Sequence, residues 1–63
     1  MKFTYFWLTG KKEVLVGESA SDALNKAGYS EGALRALDFY VKGDDDSYKW
    51  SEDNHSWIKK LKI

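Results

Sequence analysis

Ser19-Ala-Ser-Asp-Ala-Leu-Asn-Lys-Ala-Gly28 narrows the choice of fold more than any other stretch, because a helix start, face and stop coincide in it. Ser19 stands where an N-cap hydroxyl accepts from a free backbone N–H of the first turn. Asp22, three residues on, gives a capping-box pattern and favours the positive end of the helix dipole. Ala20, Ala23, Leu24 and Ala27 recur at i, i+3, i+4 and i+7 and make one apolar stripe. Gly28 supplies the left-handed stop at C′. A helix this short, with so small a face, needs a larger surface to lie on, and both its flanks read as strands.

Phe3–Leu8 and Glu13–Val16 are β-favouring runs separated by Thr9-Gly10-Lys11-Lys12. A two-residue loop at Gly10-Lys11, with Gly taking the positive φ of a II′ turn, predicts Trp7 opposite Val14 and Tyr5 opposite Val16. Phe3, Tyr5, Trp7, Val14 and Val16 then share the expected core face. Thr4, Phe6, Leu8, Glu13 and Leu15 share the other. The second set is also strongly apolar, so a further layer is expected to cover it, drawn from the rest of the chain or from another copy.

After the helix, Tyr29-Ser-Glu-Gly32 leads to a turn or 3₁₀ piece over Ala33–Ala36, since Gly32 weakens a longer helix. Leu37–Lys42 alternates as a third strand, with Leu37, Phe39 and Val41 inward and Asp38, Tyr40 and Lys42 outward. Gly43–Ser47 is a turn. Tyr48–Trp50 and His55–Ile58 read as a last hairpin, in which a loop over Glu52–His55 sets Ser51 against Ser56 and Trp50 against Trp57. A helix capped by Ser51 and running through Ile58 into Leu61 is the alternative. The expected fold is one α+β domain over residues 1–63, in the order β-β-α-β-β-β. It is a mainly antiparallel sheet with one short helix packed on one face.

Composition excludes more functions than it proposes. Without Cys there is no disulfide framework and no thiolate metal site, and a cytoplasmic location is the expectation. The first ten residues lack the long apolar core and small-residue cleavage site of a signal peptide, and no run approaches a membrane span. Ten basic and ten acidic residues balance to zero, which argues against a polyanion as main partner. Asp44–Asp46 reads as a solvated turn. An EF-hand counted from Asp44 would place Lys49 and His55 where Gly and Glu are needed, and one counted from Asp46 would place Ser51 and Trp57 there. Lys59, Lys60 and Lys62 make a basic tail. His55 is the one histidine and reads as an exposed turn residue, because neighbouring strand positions turn Ser51 and Ser56 away from any common geometry with it. No catalytic residue, metal ligand or cofactor is assigned.

Ten aromatics in so short a chain are more than one helix can cover. The expectation is a non-enzymatic protein-interaction domain, with a protein partner or a second copy in a homodimer. Its contact surface is expected at Phe6, Leu8 and Leu15, with Tyr40, Trp50 and Trp57 beside them. The same Tyr40, Tyr48, Trp50 and Trp57 rings also read as a second small core beneath the last hairpin, and the functional alternative is a single-stranded nucleic-acid binder stacking bases on Tyr48, Trp50 and Trp57.

Overall fold

The computed structural model describes residues 1–60, so Leu61 and Lys62, on which the alternative helix and the basic tail partly rest, lie outside the described residues. The elements are β1 (Lys2–Trp7), β2 (Lys12–Val16), α1 (Ala20–Lys26), a 3₁₀ turn (Glu31–Ala36), β3 (Leu37–Lys42), β4 (Tyr48–Ser51) and β5 (Ser56–Lys59). β1 lies between β2 and β3 in an antiparallel three-stranded sheet, and β4 and β5 form a separate antiparallel pair.

The helix ends follow the local code. Ser19 Oγ accepts from the Asp22 N–H at 3.1 Å, and Asp22 Oδ2 accepts from the Glu18 N–H at 2.9 Å, one residue ahead of the N-cap. Gly28, at φ +89°, follows the C-cap Ala27. The N–H groups of Gly28 and Tyr29 return to the carbonyls of Asn25 and Leu24, a Schellman closure. The buried face is smaller than the spacing predicts. Ala23 and Leu24 are buried, Ala20 is half-buried, and Ala27 is exposed because the chain turns away at the C-cap.

The β1–β2 hairpin departs from the predicted register. Its loop is Leu8-Thr9-Gly10, with the Gly10 N–H on the Trp7 carbonyl and the Trp7 N–H on the Lys11 carbonyl. Gly10, at φ +90°, takes the left-handed position that ends a three-residue loop rather than opening a two-residue one. Phe3 therefore opposes Leu15 and Tyr5 opposes Glu13, instead of Tyr5 opposing Val16. The slip is odd, so every β2 side chain changes face. Leu15 joins Phe3, Tyr5 and Trp7 beneath α1, while Val14 and Val16, expected in that core, lie on the opposite face.

β3 has a bulge. Phe6 opposes Phe39 but Trp7 opposes Leu37, leaving Asp38 as the extra residue. The bulge turns Leu37 toward the helix layer, whereas Phe39 and Val41 face the other way.

Both faces of β1 are thus internal, as its two-sided apolar character requires, and the chain itself supplies the second cover. Ring contacts fall into two sets. Phe3, Tyr5, Trp7, Tyr29 and Tyr40 connect on the helix side. Phe6, Phe39, Tyr48, Trp50 and Trp57 connect between the sheets. The last hairpin has the predicted register, with Trp50 against Trp57 and their rings 5.6 Å apart edge to face.

A latch holds this second layer down. Thr4, fully buried on β1, donates from Oγ1 to the Gly43 carbonyl at 2.6 Å and accepts from the Asp45 N–H at 2.9 Å. Thr4→Val keeps the shape and leaves both backbone groups without their partner, so it is expected to cost about 1–3 kcal/mol. Urea titration reads this directly; an unchanged midpoint would mean that the 43–47 loop does not depend on the latch.

Candidate protein-contact surface

The residues expected to form a contact surface are scattered by the register and the second layer. Phe6 is 0% exposed, with the rings of Phe39, Trp57 and Tyr48 at 4.6, 5.0 and 5.2 Å. Trp57 donates from Nε1 to the Trp7 carbonyl at 2.9 Å, which ties β5 to the end of β1. The Trp50 ring lies over Gly10, 3.1 Å from where a Cβ would stand. Tyr48, Trp50 and Trp57, the rings invoked for base stacking, each make contacts toward the interior and are half-buried. Leu15 is half-buried against the helix layer. Leu8 and Tyr40 are exposed, but Leu8 lies in the β1–β2 turn and Tyr40 on the helix-side face of β3.

β2 and β3 are the two edges of the three-stranded sheet; each pairs with β1 on one side, and no described strand pairs with the other side of either. The Lys11 carbonyl and the Gly17 N–H both bond toward β1. Antiparallel alternation then points the N–H and C=O groups of Lys12, Val14 and Val16 outward. On the face shared with Phe6, Val14 and Val16 are 38% and 61% exposed, since the β4–β5 layer does not reach over them.

Both charged side chains of this strand are engaged within the chain. Lys12 Nζ is 2.8 Å from Asp46 Oδ1, and Asp46 Oδ2 is 3.3 Å from Lys60 Nζ. The hydrogen bonds from Lys12 and then Lys60 hold the Asp46 carboxyl below the usual carboxylate range, and the Asp46 bond raises Lys12. These pairs are exposed and individually weak. Their effect is to keep the Lys12 ammonium turned toward the loop. Glu13 accepts from the Tyr29 hydroxyl, with Lys11 Nζ 3.8 Å away.

The Asp44–Asp46 turn is more structured than a solvated loop. Asp45 Oδ1 accepts from the Ser47 N–H at 2.6 Å while its own N–H is on Thr4. His55 is exposed at φ +50°, in a turn where the Asn54 N–H and side-chain amide both reach Ser51 Oγ. Val14 and Val16 are the surface residues that sequence reasoning missed. A Gly ending a three-residue loop was the available signal, and it alone would have reversed the faces of β2. Comparison with protein-family models, with curated proteins and with solved structures finds no match to this chain.

Proposed function

We propose that this chain is a small non-enzymatic protein-interaction domain that self-associates through the apolar surface left open on its three-stranded sheet. The observation that carries this reading is the unequal cover of one face. The β4–β5 layer encloses Phe6, while Val14 and Val16 on the same face stay 38% and 61% exposed. Exposed apolar surface beside an unpaired strand favours burial against another protein surface. The zero net charge leaves no long-range repulsion to oppose association of copies. No described helix is long and apolar enough to cross a membrane. A cytoplasmic setting is part of the proposal, and the cysteine-free composition supports it.

The solution mass, followed by sedimentation with rising protein concentration, tests this reading. The expected result is a mass that climbs above the 7.3 kDa of one chain. A mass fixed at that value overturns self-association.

A further inference from the structure

We infer that β2 pairs with β2 of a second copy of this chain, antiparallel about a two-fold axis at Val14, so that two three-stranded sheets become one of six strands. The inference rests on the self-association proposed above and names the surface and register through which it occurs.

Among the described residues the outward N–H and C=O groups of Lys12, Val14 and Val16 are an unfilled hydrogen-bonding row, and such a row is a template for another strand. With Val14 against the partner's Val14, Lys12 lies opposite the partner's Val16 and each outward group meets a complementary one. Glu13 then lies opposite the partner's Leu15, so no like charges face each other directly across the ladder. Val14 and Val16 of both copies merge into one apolar strip, and the Lys12 stem lies along it.

Edge strands are commonly protected by charge, by bulges or by short length. β3 carries such protection: a bulge at Asp38, with Asp38, Tyr40 and Lys42 exposed. β2 has no described bulge against β1, and its two charged side chains have partners within the chain, Lys12 at Asp46 and Glu13 at Tyr29. The unprotected edge is therefore the one that is self-complementary. A two-fold pairing of like edges closes on itself, whereas β2 against β3 of the next copy would run on into a filament. A ladder of five residues a side is small, so a dissociation constant on the order of tens to hundreds of micromolar is expected.

Sedimentation and NMR amide exchange on the intact chain, run dilute and at about 1 mM, test the pairing. The expected result is a dimer at the higher concentration, with the amides of Lys12, Val14 and Val16 protected only there. Val14→Lys, which sets two ammonium groups at the axis, is expected to weaken dimerisation at least about tenfold, and mixing it with Val14→Glu is expected to restore it. A mass constant at one chain overturns the pairing together with the self-association beneath it. A dimer in which those three amides exchange as fast as in dilute solution overturns the pairing alone. If either variant fails to fold by circular dichroism, the exchange measurement on the unaltered chain decides.

Discussion

Phe6→Ala is expected to lower stability by about 3–5 kcal/mol, the cost of emptying a fully buried phenyl site. Phe6 is 0% exposed and stands where the two sheets meet, with three aromatic rings within 5.2 Å. Sixty-three residues at roughly 0.05–0.15 kcal/mol each provide about 3–9 kcal/mol in all, so this single truncation removes a third of the stability or more. The β4–β5 layer is affected first, because Tyr48 and Trp57 lose the ring they pack on. Urea titration followed by Trp fluorescence reads the loss. Leu34→Ala, at a residue 40% exposed and away from the β2 edge, is the control. If Phe6→Ala moves the midpoint no further than the control does, the aromatic layer is not what holds the second sheet.

Gly17→Ala is the second large effect. Its φ is unremarkable, and the constraint is space. A Cβ there would stand 2.5 Å from the Ala23 N and 2.7 Å from the Ala23 Cα. Those are backbone atoms of the helix, so relief requires α1 to move off the strand end. That movement takes Ala23 and Leu24 away from Phe3, Tyr5 and Trp7. Overpacking of this kind costs about 1–3 kcal/mol and occasionally more, and contact with backbone places Gly17 at the upper end. Gly28→Ala makes a useful contrast: φ is +89° but nothing lies within 4 Å, so only the left-handed strain of about 1–2 kcal/mol applies. Equal midpoints for Gly17→Ala and the unaltered chain would mean that the strand end and the helix do not meet.

These two positions differ in how they could be anticipated. Phe6 was legible as apolar and in need of cover, although it was expected to contribute to a contact surface. Gly17 looked like a linker residue, and nothing in its neighbours announces that Ala23 will lie over it. The candidate surface was legible only as an expectation that apolar area would be left over. Its location is not, because the residues place Val14 and Val16 in the core and leave open whether the rest of the chain or another copy covers Phe6, Trp50 and Trp57.

The features readable from the residues alone are those decided within a few positions along the chain. The Ser19 cap, the Gly28 stop and the Trp50–Trp57 pairing each depend on hydrogen bonds or cross-strand neighbours a short distance away in sequence, and the strand Leu37–Lys42 is readable from its own alternation although its ladder is with the distant β1. The faces of β2 and the layer that Leu37 joins were settled by packing between distant segments. Alternation with period two fits either face equally well, and one extra residue exchanges them. The loop at Gly10 and the bulge at Asp38 are such residues. They become fixed because Leu15 finds α1, Leu37 finds the helix layer, and Trp57 finds Phe6 and the Trp7 carbonyl.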